Sequence, residues 1–260
     1  MSTISNIAMK VLPDRLFHSL RMLKKPDSYV PLNNVTYNQD GLVTVHNCDF
    51  MKDEAFQQAY QAGESLDSWF NCQVHWRIHT ILWAAKRAEN MEGDFVECGV
   101  NKGGFSRTII EYINFENLKN KKFYLLDTFQ GLSDKFISEE EKKHGFNVGR
   151  FSYKECYEEV KQTFSKFKNV EIIRGTIPDT LPQVKAEKVC YLSIDMNCAA
   201  PEIAAAEYFW DKLVSGAAIV LDDYGWDGHI AQKRAMDEFA KQKGVSVLSL
   251  PTAQGLIIKP

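Results

Sequence analysis

The spacing of apolar residues changes near residue 90, and the change divides the chain in two. Before it, apolar and polar positions alternate over 42–46, which predicts a short strand. Helical spacing follows over 50–63 and again over 69–90, where Trp69, Phe70, Trp76 and Trp83 make the pattern unusually aromatic. An earlier segment, 10–25, sets Val11, Leu12, Leu16, Phe17, Leu20 and Leu23 on one helical face beside Lys10, Arg15, Arg21, Lys24 and Lys25. Such a helix packs on its own protein, on a partner subunit or on a membrane surface. Residues 1–90 therefore read as a mostly helical extension or cap, and residues 91–260 as an α/β domain.

In the second part, apolar runs at 95–100, 123–126, 170–173, 189–194, 217–221, 245–250 and 256–258 predict strands. Amphipathic segments separate most of them, which implies a mostly parallel seven-stranded sheet with helices on both faces. Pro201 suits the first turn of a helix that ends near Trp210, and Gly244 is placed to stop a helix over 229–243. The connection 251–254 is too short for a crossover helix, so the last two strands should form an antiparallel hairpin.

Composition narrows the function. The 31 Lys and Arg against 34 Asp and Glu leave a net charge of −3 and no basic field to attract nucleic acid. No stretch approaches the length of a membrane span, and a cytoplasmic location is the default expectation. The six cysteines (Cys48, Cys72, Cys98, Cys156, Cys190 and Cys198) include no Cys-x-x-Cys pair, and several lie in apolar runs. Buried free thiols are expected, not a zinc site or a disulfide framework.

The candidate chemistry lies at strand ends. The segment Asp94-Phe95-Val96-Glu97-Cys98-Gly99-Val100 runs into Gly103, Gly104 and a helix that begins with Phe105 and Ser106. Ligands of open α/β sheets bind beyond the carboxyl ends of the strands, where these glycines would lie. Gly99 would let the backbone approach a ligand, and Gly103 or Gly104 would relieve the turn into the helix. The spacing Gly-x-x-x-Gly-Gly is not the Gly-x-Gly-x-x-Gly of dinucleotide enzymes. Glu97 would repel a pyrophosphate but tolerate the cationic methionine end of S-adenosylmethionine. Asp127 closes the second strand, followed by Thr128, and is placed either to accept hydrogen bonds from a ribose diol or to cap the next turn.

A third constellation is acidic. Asp195 ends the strand over 189–194, and Asp222 and Asp223 end the strand over 217–221. If one helix joins these strands, the three carboxylates converge at the edge that carries the glycine turn. Hard oxygen ligands of this kind suit Mg²⁺ or Mn²⁺ with positions left open for substrate; the plainer reading is that each aspartate caps a turn. His229 is a candidate general base or a helix-terminal histidine. Trp76, Arg77 and His79 either roof a ligand or belong to the core. The polar stretch 133–150 is either a lid carrying Lys135, Lys143, His144 or Arg150 to an acidic substrate, or a solvated loop.

With these residues in place, the sequence from about Trp76 to Pro260 resembles the macrocin/mycinamicin (TylF-type) O-methyltransferase family. The resemblance rests on the segment ending Glu97-Cys98-Gly99-Val100 with Gly103-Gly104, and on Leu126-Asp127-Thr128-Phe129-Gln130-Gly131. It continues through Gly175-Thr176-Ile177-Pro178-Asp179, Leu192-Ser193-Ile194-Asp195 and Ile219-Val220-Leu221-Asp222-Asp223-Tyr224. It implies a Rossmann-like class I methyltransferase that binds S-adenosylmethionine, depends on Mg²⁺ and methylates a sugar hydroxyl as a homo-oligomer. The implied cofactor residues are Glu97, Gly99, Gly103, Ser106, Asp127, Thr128, Gly175, Thr176 and Asp195. The implied metal ligands are Asp195, Asp222 and Asp223, and Asp195 or His229 is the candidate base. Asn197 stands where many members carry a second aspartate. The alternatives are a catechol-type O-methyltransferase acting on an aromatic diol, an NAD-linked oxidoreductase, which the glycine spacing argues against, and a non-catalytic nucleotide-binding subunit.

Overall fold

The computed structural model describes residues 34–149 and 153–260. The amphipathic segment 10–25 and Arg150 lie outside the described residues. The chain forms two compact units that divide between Cys48 and Asp49. In the first, β1 (Tyr37–Gln39) and β2 (Leu42–Thr44) pair antiparallel around Asp40 and Gly41. The strand expected over 42–46 is thus one arm of a short hairpin.

The second unit begins with α1 (Glu54–Glu64), whose first turn is capped by Asp53 accepting the Phe56 N–H. Gly63 lets this helix touch its neighbour almost backbone to backbone: a Cβ there would lie 2.0 Å from Thr108 Oγ1 and 2.5 Å from the Gly104 carbonyl. The helix expected over 69–90 starts only at His75, as α2 (His75–Ala88). Asp67, Phe70 and Asn71 have φ of 54°, 50° and 62°, and this left-handed backbone cannot continue a helix. The aromatic spacing misleads here because Trp69 packs tilted against Tyr60 and Phe105 from a turn.

The remaining elements are β3 (Asp94–Cys98), α3 (Gly104–Tyr112), β4 (Phe123–Asp127), α4 (Glu139–Lys143), α5 (Tyr157–Phe164), β5 (Val170–Arg174), β6 (Val189–Ile194), α6 (Ala199–Trp210), β7 (Leu213–Leu221), α7 (Ile230–Gln242), β8 (Leu248–Ser249) and β9 (Gly255–Ile258). The sheet order is β5-β4-β3-β6-β7-β9-β8. The pairs are parallel through β7, and β9 pairs antiparallel with both β7 and β8, which gives the expected closing hairpin. The strand expected over 245–250 shrinks to the two paired residues of β8.

Alternation along the strands supplies both faces of the core. Phe95, Tyr191 and Ala218 point into a cluster with α1, α2, α3 and α5, while Val96, Leu192 and Ile219 point into one with α6 and α7. Helices α1 and α2, which the sequence reading places in the extension, therefore share the core of the sheet. The chain builds outward from β3 to β5, then returns to β6 on the other side of β3. A crevice opens at the carboxyl ends of two strands that depart in opposite directions.

The stretch 133–149 is neither a bare loop nor a carrier of cations to the crevice. Ser138 and Glu141 form a reciprocal capping box at the start of α4. Glu141 is itself buried, and its second oxygen accepts the Ala199 N–H at the start of α6 (2.8 Å). Lys135 stays exposed and pairs with Asp179 at 3.7 Å. The segment instead offers apolar Phe136 to the crevice, next to Leu132 just before it. Among the described residues the six cysteines are free; Cys98, Cys156, Cys190 and Cys198 are buried as expected, whereas Cys48 is half-buried and Cys72 exposed. Among the described residues no helix is long and apolar enough to cross a membrane.

Candidate active site

The crevice is a single cavity of about 520 Å³. Each strand from β3 to β7 contributes the residues at its carboxyl end: Gly99, Asp127, Gly175, Asp195, and the pair Asp222 and Asp223. Thr128 and Thr176 line it beside their neighbours, and Trp69, Phe70, Arg77 and Tyr153 contribute further wall. Of the residues singled out in the sequence, Glu97, Gly103, Ser106 and His229 are not part of this lining.

At one end, Gly99 has φ of 91°, and a Cβ there would fall 1.7 Å from the Asp195 carbonyl oxygen. The turn that follows is held by Asp127, whose Oδ2 accepts the N–H groups of Val100 (2.6 Å) and Asn101 (2.8 Å). Its Oδ1 accepts the Phe129 N–H (2.6 Å) and the Tyr153 hydroxyl (2.8 Å). Asp127 thus organises two turns, as the capping reading expects, and also lines the cavity. Thr128 donates to the Gly131 carbonyl at 2.7 Å. Asn101 lines the cavity with Oδ1 buried and, among the described residues, without a hydrogen-bond partner. An orphaned acceptor in a cavity wall suits a ligand that brings a donor.

Glu97 and Ser106 face away from the cavity into the contact between β3 and α3. The Ser106 hydroxyl donates to Glu97, which is 1% exposed. Burial pushes the Glu97 carboxyl up to about 8, with Asp127 and Asp222 adding to the rise and the Ser106 hydrogen bond opposing it. At neutral pH it is mostly protonated and supplies little charge to a cationic ligand. This has a measurable sign. In the unfolded chain the group ionises near 4.5, so between pH 4.5 and 8 the folded state binds more protons and stability falls as pH rises. Glu97→Gln removes that contribution, worth about 1.4 kcal/mol per pH unit inside the window. Urea titrations of ligand-free protein at pH 5 and pH 8 should show a smaller stability loss for the variant. Equal losses would place Glu97 in a solvated setting.

At the other end the acidic residues assemble around a cation the chain supplies itself. Asp222, 3% exposed, gives Oδ2 to Arg77 Nη1 at 2.6 Å and Oδ1 to Gln254 Nε2 at 3.0 Å. The Arg77 guanidinium also lies 5.6 Å from the Trp226 ring. Asp195 is pushed well above the usual carboxylate range by burial and by Asp222 and Asp223, and Arg77 only partly relieves it. Glu202, 5% exposed, is raised to about 8 chiefly by burial. It accepts the Gln232 side chain at 2.8 Å and the Met196 N–H at 3.3 Å, which fixes the turn after Asp195.

The expected trio therefore meets at one edge but is not presented as a finished ligand set. Among the described residues no group of three His, Cys, Asp or Glu side chains is disposed to hold a metal ion. Arg77 engages Oδ2 of Asp222, an oxygen that a cation shared by the trio would need. His229 stands behind Asp223, with Nδ1 3.7 Å from its Oδ2, 7% exposed and edge-on to Phe146 at 5.0 Å.

Sequence reasoning placed Arg77 only as part of a roof-or-core helix and missed Tyr153, Glu202 and Gln254. A single arginine among the apolar positions of α2 signalled an interior partner. Glu202, an acid in the first turn of a mostly apolar helix, gave a weaker signal, and the other two gave none.

A family model described as macrocin-O-methyltransferase (TylF) matches residues 77–248. Among curated proteins, the chain is 23% identical over 178 residues to the 8-demethyl-8-(2,3-dimethoxy-alpha-L-rhamnosyl)-tetracenomycin-C 4'-O-methyltransferase of Streptomyces olivaceus, covering 65% of this chain and 64% of that one. It is 23% identical over 143 residues to the demethyldecarbamoylnovobiocin O-methyltransferase of Streptomyces niveus, covering 52% and 54%. The chain thus spans less than two thirds of the length of either relative. Among solved structures, the O-methyltransferase NovP superposes with a TM-score of 0.62 at 20% identity, over 70% of this chain and 79% of that one. The calicheamicin methyltransferase CalS11 gives 0.60 at 14%, over 88% and 97%. At these identities the structural likeness speaks for the fold, a Rossmann-like sheet with a closing hairpin.

Proposed function

The chain belongs to the macrocin O-methyltransferase (TylF) family, and from that premise we propose that it transfers a methyl group from S-adenosylmethionine to a hydroxyl of a sugar or nucleotide-linked sugar. The observation that carries the reading is the continuity of the cavity. One volume joins the Gly99 and Asp127 end, suited to a nucleoside, to the carboxylates at Asp195, Asp222 and Asp223. Gly175 and Thr176 border the nucleoside end.

The cofactor supplies an electrophilic methyl on a sulfonium. The bond from carbon to sulfur breaks as the bond from carbon to the acceptor oxygen forms, and the hydroxyl proton must leave. The chain's part is to hold the acceptor in line with the methyl and to take that proton. Asp195 is the candidate for the second task, because it lines the cavity beside Asp222 and Asp223. His229, behind Asp223, is placed to support that carboxylate and not to reach the acceptor directly.

A divalent cation, Mg²⁺ or Mn²⁺, belongs to the same proposal. The donors are hard oxygens, and the carboxyls of Asp195, Asp222 and Asp223 all line the cavity. Asp195 and Asp223 would hold the ion, and Asp222 is shared with Arg77. The ion would supply a lowered hydroxyl pKa at the acceptor. The proposal extends to a cytoplasmic homo-oligomer acting on a small molecule. The net charge of −3 argues against nucleic acid as the substrate.

The test combines calorimetric titration with S-adenosylhomocysteine and a product assay on sugar and catechol acceptors, with Mg²⁺ and with EDTA. The expected result is micromolar binding that survives EDTA and methylation of a sugar that does not. Binding of NAD⁺ instead overturns the methyltransferase reading. Full turnover in EDTA overturns the metal, and methylation of the catechol alone overturns the sugar.

A further inference from the structure

A carboxylate offers about four acceptor directions, and at Asp127 all four are taken. Val100 and Asn101 donate to Oδ2, and Phe129 and Tyr153 donate to Oδ1, at 2.6 to 2.8 Å. The Thr128 hydroxyl stands 3.3 Å from Oδ1, but its one proton goes to the closer Gly131 carbonyl. The donors are not equivalent. Three are backbone N–H groups of the turns after β3 and β4, and releasing any of them means rebuilding those turns. The fourth is the side-chain hydroxyl of Tyr153, a half-buried residue in the non-helical approach to α5 whose ring borders the same cavity. Only this donor can leave while the fold stays intact.

We infer that the Tyr153 hydroxyl occupies the acceptor position on Asp127 that a ribose hydroxyl takes, so that a nucleoside enters by exchanging with it. The inference rests on reading this end of the cavity as the cofactor site. Tyr153 then has a double consequence. Without a ligand it satisfies Asp127, a carboxylate that would otherwise sit partly buried with an unmet acceptor. With a ligand, the ribose replaces an existing charge-assisted hydrogen bond instead of adding one, so binding is weaker than the contacts suggest. Tyr153 is thus a positioning residue that sets the threshold for nucleosides and discriminates by the ribose diol.

The experiment is calorimetric titration of wild type, Tyr153→Phe and Asp127→Asn with S-adenosylhomocysteine and with its 2′,3′-dideoxy analogue. Phenylalanine keeps the ring and removes only the competing donor. Tyr153→Phe should bind S-adenosylhomocysteine about tenfold more tightly than wild type, the worth of one hydrogen bond to a charged group. The dideoxy analogue, which has no hydroxyl to exchange, should bind wild type and Tyr153→Phe equally. Unchanged or weaker binding of S-adenosylhomocysteine by Tyr153→Phe overturns the inference. Tightening that extends to the dideoxy analogue also overturns it, because the effect is then one of space. The Asp127→Asn arm separates the two levels. If that variant binds S-adenosylhomocysteine as wild type does, the ribose assignment itself fails; if it binds more weakly while Tyr153→Phe shows no gain, only the exchange fails.

Discussion

Gly99→Ala is expected to cost the fold about 2–5 kcal/mol of stability or more at 25 °C. A β-carbon at this position would lie 1.7 Å from the Asp195 carbonyl oxygen and 2.4 Å from its carbon, and both are backbone atoms. Neither side can retreat. The Gly99 N–H is held by the Leu126 carbonyl at 2.9 Å and the Asp195 N–H by the Cys98 carbonyl at 2.8 Å, so the clash lies between two strands locked into the sheet. Positive φ adds about 1–2 kcal/mol for any L-residue, and overpacking against an unyielding wall adds about 1–3 kcal/mol or more. Together these consume a large part of the roughly 5–15 kcal/mol that a domain has. Far-UV circular dichroism and urea unfolding of the variant measure it directly. A cooperative transition within about 1 kcal/mol of wild type would mean that the two strands do not approach as described.

Asp222→Ala should be the most damaging change among the acidic residues, and its damage should be partly reversible. Removing the carboxylate takes a 2.6 Å ion pair from the Arg77 guanidinium, whose side chain is 15% exposed, and removes the acceptor of the Gln254 side-chain amide. Breaking a buried pair from one side costs about 3–5 kcal/mol, much of it from the stranded charge. The double variant Arg77→Met with Asp222→Ala removes both charges and should recover at least half of that loss in urea unfolding. On the proposed function, turnover should not return, because the carboxylate is still missing. If the two single changes simply add, Arg77 and Asp222 do not act as a pair.

The parts of this architecture that the sequence made legible are those that depend on local repetition. Apolar runs such as 95–100 and 189–194 are buried on both faces, and a strand of that kind has few other ways to satisfy its side chains. The acidic residues closing those runs then fall at one edge by topology alone. What stayed hidden depends on long-range contact or on which way a side chain turns. Arg77 and Asp222 are separated by 145 positions, and no pattern in either neighbourhood names the other. Glu97 sits in a recognisable motif, yet the strand's alternation turns it to Ser106 and not to the cavity. Trp69 and Phe70 continue the helical spacing of α2, although the backbone before it is left-handed and uses them as cavity wall.

The closing hairpin has a consequence for how the protein comes into being. Gln254, in the turn before β9, supplies one of the two partners of Asp222, and β9 covers the open side of β7. A chain leaving the ribosome presents β7 and its two aspartates before that turn exists. In the interval Asp222 lacks the amide, and β7 offers an unpaired edge to any strand it meets. The gathering of negative charge is therefore finished by a neutral residue that arrives late. Vectorial synthesis brings the carboxylates first and the piece that steadies one of them afterwards.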